Sequence, residues 1–261
     1  KALEYGAVDF IPKELSFVNV NIVKIKEELI SKVKEIVRQR SLSVRLKRLQ
    51  KLTGTPPHTS PKIYSSASIP AAGYKAIGLG VSTGGPMSLQ KVIPQLSPKI
   101  NIPVFIVQHM PPKFTKSLAE RLNSMSQLEV KESEQDEIVR GGVVYLAPGG
   151  FHMTVKKNNA GGNVINISEE PSNTLHRPAV DVMMNSLLQV YGKFTLGVIM
   201  TGMGRDGCDA MKELKAIGGH VIAQDEESCV VYGMPKAVVD AGLADAVLPL
   251  EQIPFTINKA V

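Results

Sequence analysis

Tryptophan is absent from this 261-residue sequence, and cysteine occurs only twice, as Cys208 and Cys229. Two thiols cannot build a disulfide framework or a four-ligand zinc site with C-x-x-C spacing, so disulfide-stapled and structural-zinc classes are excluded. No apolar run approaches the ~18 residues that a membrane-spanning helix needs. The first residues also lack the charged, apolar and small-residue order of a signal peptide. The expectation is a soluble, cytoplasmic protein with no membrane insertion.

Aromatics are scarce too, at 5% of the chain, which bears on how its net charge of +6 is read. Between Lys24 and Lys51 stand ten Lys or Arg against Glu27, Glu28 and Glu35, so the surplus is concentrated there and the remainder is close to neutral. No aromatics are interleaved in that stretch for base stacking, so it reads as a solvated helical face or linker and no nucleic-acid partner is expected.

Val20 to Arg40 carries Ile22, Ile25, Leu29, Val33 and Ile36 at three- and four-residue steps, the mark of an amphipathic helix. Thr53 to Ala72 is rich in Thr, Ser, Pro and Ala without periodicity, as a linker is. Residues 41–72 are therefore expected to join an N-terminal piece, 1–40, to a domain over 73–261. In that domain short β-branched runs alternate with helical segments, which predicts parallel strands with crossover helices. Strands are expected at Lys75–Val81, Val104–Gln108, Leu196–Met200 and His220–Ala223. Helices are expected at Met87–Leu96, Thr115–Met125, Val180–Val190, Asp209–Ile217 and Pro235–Ala241. Gly141–Ala147, Phe151–Val155 and Val164–Ile167, separated by glycine-rich turns, read as inserted antiparallel hairpins. The fold class is α/β, a three-layer sandwich with a largely parallel, doubly wound sheet.

The sharpest local signal is Gly78-Leu-Gly-Val-Ser-Thr-Gly-Gly-Pro86, a strand entering a glycine-rich turn and then a helix. As G-x-S-x-G it stands Ser82 exposed on a tight strand-to-helix turn, with a backbone N–H following it. As a loosened dinucleotide fingerprint it would seat a pyrophosphate on a helix N-terminus, but Thr83 stands where that motif needs glycine. A third reading makes Ser82 a plain helix N-cap. His109 directly follows the second strand, and Asp206 lies in the glycine-rich loop Thr201–Gly207 after a later one. Alone, Asp206 reads as a helix N-cap. Together the three residues lie past strands on one sheet edge, the placement that a nucleophile, a general base and an orienting carboxylate require. The chain order Ser, His, Asp differs from that of α/β-hydrolases. The amides of Thr83 and Met203 are the nearest donors for an oxyanion. His152 and His220 read as structural, and His176-Arg177-Pro178 as either a helix start or a substrate-facing loop. Cys208 would have to share His109, and Ser82 has the better turn for a nucleophile. No spacing suggests a metal site.

Several motifs then stand in order. They are Gly80-Val-Ser-Thr-Gly-Gly-Pro86, Gln108-His-Met-Pro-Pro112 with Phe114-Thr115, Ala147-Pro-Gly149 with His152-Met153, and His176-Arg-Pro178 with Val180-Asp181. Thr201-Gly-Met-Gly204 with Asp206-Gly207, and Ala223-Gln224 with Ser228 to Pro235, complete the set. From about Tyr74 onward the chain resembles the CheB-type chemotaxis protein-glutamate methylesterases, with Arg205 where a residue such as Asn is familiar. The resemblance implies a cofactor-free serine esterase that removes methyl groups from glutamates on the cytoplasmic helices of methyl-accepting chemoreceptors and deamidates receptor glutamines. It also implies a preceding receiver domain, phosphorylated through a histidine kinase. Glu4 to Glu14 resembles its last strand, with Lys13 at the position of the phosphoryl-contacting lysine, and the phosphate-accepting Asp is expected before Lys1. A nicotinamide-dependent oxidoreductase and a catalytically silent signalling module are the alternative classes.

Overall fold

The computed structural model describes residues 26–27, 29–34, 36–38 and 69–261. Residues 26–27, 29–34 and 36–38 are helical, as the periodicity predicts. Lys13, most of the receiver remnant and nearly all of the linker lie outside the described residues.

The domain is built on β1 (Ala76–Val81), α1 (Gly85–Val92), β2 (Val104–Gln108), α2 (Phe114–Met125), β3 (Glu129–Glu132), β4 (Val143–Leu146), β5 (His152–Lys157), β6 (Asn163–Ser168), α3 (Val180–Tyr191), β7 (Thr195–Ile199), α4 (Cys208–Ala216), β8 (His220–Gln224), α5 (Met234–Asp240), β9 (Ala246–Leu248) and α6 (Ile253–Ala260). Seven strands form one sheet in the order β3-β4-β2-β1-β7-β8-β9. Every pairing in it is parallel. β5 and β6 form a separate antiparallel hairpin.

β1, β2, β4 and β7 are buried along their whole length, as parallel strands covered on both faces are. α1, α2 and α6 bury Leu89, Leu118, Leu122, Ile253 and Ile257 against one face. α3, α4 and α5 bury Met183, Leu187, Leu214 and Val238 against the other, and the hairpin packs there through Met153 and Ile165. No helix among the described residues is long and apolar enough to cross a membrane.

One expectation is corrected. Val143–Leu146 is not a hairpin strand: β4 lies parallel between β2 and β3 in the main sheet. Its four residues are all buried, and an unbroken apolar run is what a central parallel strand needs. β3, with the sequence Glu-Val-Lys-Glu, hides its strand character behind charges on the sheet edge, and β9 is only three residues long.

β1 alternates Ile77, Leu79 and Val81 toward one face with Gly78 and Gly80 toward the other. A Cβ on Gly80 would stand 2.6 Å from Val180 Cγ1, at the start of α3. The absence of a side chain there lets α3 lie directly on the central strand. We expect Gly80→Ala to cost about 1–3 kcal/mol through overpacking, read as a lowered midpoint in urea, with Ala at Gly162, where a Cβ would meet nothing closer than 3.4 Å, as the control. An unchanged midpoint would show that α3 has room to move away.

Candidate functional site

β1 is the point at which the strand order reverses, with β2 on one side and β7 on the other. In open α/β sheets the crevice at the carboxyl ends of such strands is where ligands bind. Ser82 leaves β1 here, His109 leaves β2 and the Thr201–Gly207 loop leaves β7.

The register sets the spacing. Val81 pairs with Gln108, and the His109 amide donates to the Val81 carbonyl at 3.2 Å, so Ser82 and His109 are the next residues across the two strands. On the other side the Ser82 amide donates to Thr201 O at 2.9 Å. The following residue must be glycine, because a Cβ on Gly202 would approach Ser82 Cβ to 2.8 Å. The N-cap of α1 is Gly84, in a left-handed conformation and without a side-chain cap. Ser82 is therefore not the N-cap, and its half-buried hydroxyl has no hydrogen-bond partner among the described residues.

Asp206 is likewise not a cap, since α4 is capped by Gly207. Its Oδ2 lies 2.7 Å from His109 Nε2, with side-chain exposures of 14% and 7%. The carboxylate also accepts the first amides of α3, Val180 N to Oδ2 at 2.7 Å and Asp181 N to Oδ1 at 3.1 Å. Burial raises the Asp206 carboxyl, but the hydrogen bond and charge of His109 and the two backbone amides outweigh it and bring the pKa down to about 2. The remaining imidazole nitrogen, Nδ1, is buried and has no partner among the described residues. His176 stacks on the His109 ring, with centroids 4.1 Å apart and planes inclined by 22°.

Behind this pair, Asp181 accepts the Ala210 amide of α4 at 2.8 Å. Burial is the main cause that lifts its pKa to about 6, and the Asp206 charge adds to it. A carboxyl with a folded pKa above its unfolded one contributes stability that is fully present below about pH 4 and is lost as pH rises through about 6. Asp206, being depressed, contributes stability present above about pH 4 and lost as pH falls through about 2. We therefore expect Asp181→Asn, which keeps the acceptor for Ala210, to gain thermal stability relative to the wild type between pH 4 and 7. Melting curves across that range test it, and a pH-independent difference would contradict it.

His152 accepts the Ala179 amide on Nδ1 at 3.2 Å and points Nε2 at Pro171 O, also at 3.2 Å. It thus holds the residue that precedes α3, and burial lowers its pKa. His220 pairs with the Tyr74 hydroxyl at 2.9 Å, at the opposite end of the sheet. Cys208 points its thiol at Ala237 O, and burial raises its pKa. Two polar residues stand out that the sequence reading passed over. Thr201 Oγ1 donates to Thr83 O at 2.9 Å and accepts the amides of Val230 and Val231. Gln108 spans the ends of β1 and β2. Each opens one of the loop motifs quoted above and closes an apolar strand, but neither signal tells what its side chain bonds. Ser31 of the N-terminal helix lies 3.7 Å from Met203 Sδ. Among the described residues no group of three or more His, Cys, Asp or Glu is arranged to hold a metal ion.

The family model described as CheB methylesterase matches residues 77–257. The chain is 44% identical over 266 residues to a protein-glutamate methylesterase/protein-glutamine glutaminase of Pyrococcus horikoshii, covering 100% of this chain and 69% of that one. It is 42% identical over 265 residues to the protein of the same name from Thermotoga maritima, covering 100% and 72%. The crystal structure of the Thermotoga maritima CheB methylesterase catalytic domain superposes with a TM-score of 0.69 at 46% identity, covering 72% of this chain and 99% of that one. With a family model over residues 77–257, relatives 42–44% identical along the whole chain and a shared catalytic-domain fold, the chain belongs to the CheB methylesterase family.

Proposed function

We propose that this protein is an esterase that hydrolyses glutamate γ-methyl esters on the cytoplasmic helices of chemoreceptors, and that it deamidates receptor glutamines at the same site. The observation that carries the mechanism is the His109–Asp206 hydrogen bond at 2.7 Å, which leaves His109 Nδ1 unpartnered beside the turn that bears Ser82. Asp206 fixes the proton on Nε2, so Nδ1 is the lone-pair nitrogen and the general base. Ser82 Oγ attacks the ester carbonyl while its proton passes to Nδ1. The C–O bond to methanol then breaks and the departing methoxide takes that proton, leaving a glutamyl ester on Ser82. Water, deprotonated by the same nitrogen, releases the free glutamate. Deamidation follows the same route, with ammonia leaving.

The tetrahedral oxyanion needs donors that are not already engaged. The Thr83 and Met203 amides donate to no protein group among the described residues, which supports them in that role. We read residues 73–261 as the catalytic domain, 41–72 as a linker and 1–40 as the end of a receiver domain, in which Lys13 would contact a phosphoryl group delivered from a histidine kinase. The test is treatment with a fluorophosphonate followed by peptide mass mapping, with methanol release from a methylated receptor fragment measured in parallel. A single adduct on Ser82 with loss of methanol release is expected. Methanol release that survives complete labelling of Ser82 would overturn the mechanism, and absence of any methanol release from the unlabelled protein would overturn the activity.

A further inference from the structure

The carbonyl of Ser82 is held more firmly than its turn requires. The Gly85 amide donates to it at 2.8 Å and closes the turn. Gln108 Nε2 adds a second donor at 3.0 Å and also reaches His109 O at 3.1 Å. Gln108 is only 2% exposed. Its own Oε1 is buried without a partner, a costly arrangement for an amide at the end of a core strand. Turning the amide over would set Oε1 against two carbonyl oxygens, so the orientation is fixed. The side chain fits only because residue 85 is glycine: a Cβ there would stand 1.9 Å from Gln108 Oε1.

The carbonyl that Gln108 grips and the amide of Thr83 belong to one planar peptide unit and point in opposite directions. Donors on the carbonyl therefore aim the Thr83 N–H away from Gln108, and they polarise it toward stronger donation. Thr201 Oγ1 restrains the next peptide through Thr83 O at 2.9 Å. We infer that Gln108 is a positioning residue that orients and strengthens the Thr83 amide as the oxyanion donor. This rests on the reading of Ser82 and Thr83 above.

The test compares wild type with Gln108→Met, which keeps length and burial but has no donor. Both are assayed on a glutamyl methyl ester peptide and on its thiono counterpart, whose sulfur accepts hydrogen bonds weakly. Gln108→Met should lower kcat on the oxygen ester by about 10- to 100-fold, since a weakened oxyanion donor costs less than a deleted one. KM should stay within about threefold, because the contact matters in the transition state. The preference for oxygen over sulfur should shrink in the variant, a change that general loosening would not produce, and the pH midpoint of kcat/KM should be unchanged. If Gln108→Met does not fold, Gln108→Asn, whose shorter amide cannot reach Ser82 O, should show the same loss. A folded variant with full kcat, or with lowered kcat and an unchanged oxygen-to-sulfur preference, would overturn the inference. A Ser82→Ala protein with full activity would instead bring down the reading of Ser82 as nucleophile and Thr83 as oxyanion donor on which it rests.

Discussion

Ser82→Ala is expected to abolish methanol release from methylated receptor, lowering kcat by about five to six orders of magnitude, as loss of a nucleophile does in serine hydrolases. The residual rate should still exceed that in water, because the Thr83 and Met203 amides would remain to hold an oxyanion over a directly attacking water. Thermal stability should be unaffected: the half-buried Ser82 hydroxyl has no partner to lose among the described residues, and the hydrogen bond from its amide to Thr201 O is untouched by the substitution. Binding of the receptor fragment should also persist. A variant that kept a substantial part of its activity would remove Ser82 from the reaction, and one that unfolded would show that the hydroxyl has a structural duty that the geometry does not reveal.

Asp206→Asn carries the second large effect, with two separable parts. Three donors converge on the carboxylate, from His109 Nε2, Val180 N and Asp181 N. An amide has one acceptor oxygen, so in either orientation its NH2 group faces a donor. One buried N–H goes unpaired, at a cost of about 1–3 kcal/mol. If the oxygen faces Asp181 N, the NH2 group meets Nε2 and moves the imidazole proton to Nδ1, the wrong tautomer for accepting from Ser82. If the oxygen faces His109, the tautomer survives but the negative charge that stabilises the imidazolium is gone. A loss of about 10^3- to 10^4-fold in kcat is expected either way. Because the Asp206 pKa lies near 2, this carboxylate is ionised throughout the neutral range, so the Asn variant lacks a charge that the wild type always carries there. Full activity in the Asn variant would contradict the role given to the carboxylate.

The placement of Ser82, His109 and Asp206 was legible because each ends a run of buried residues at a glycine- or proline-rich break, and a parallel sheet gathers all such breaks on one edge. Less legible was what the side chains do there. Asp206 in a loop before a helix has the composition of an N-cap. Only the fold shows that Gly207 takes the cap while the carboxylate turns to His109 and the start of α3. The amides of Val180 and Asp181 could not be anticipated, since backbone donors have no sequence signature. β4 was misread because glycines on both sides made it resemble a hairpin arm. β3 was missed because an edge strand needs one buried residue, Val130, and tolerates charge elsewhere. Gln108 and Thr201 close apolar strands, a position too common for a polar residue to draw notice without its partners.

The parallel order β2-β1-β7 has a consequence for how the protein is made. His109 and Asp206 are separated by 97 residues, and the pairing of β1 with β7 waits on everything between them. During synthesis at about 5–20 residues per second, the serine and the histidine leave the ribosome seconds before their carboxylate exists. Long-range parallel pairing of this kind is also slow to form. A nascent chain therefore carries a serine without an oriented base. On the proposed mechanism the base is oriented only once β7 has docked beside β1, so a partly synthesised chain is expected to be a poor esterase.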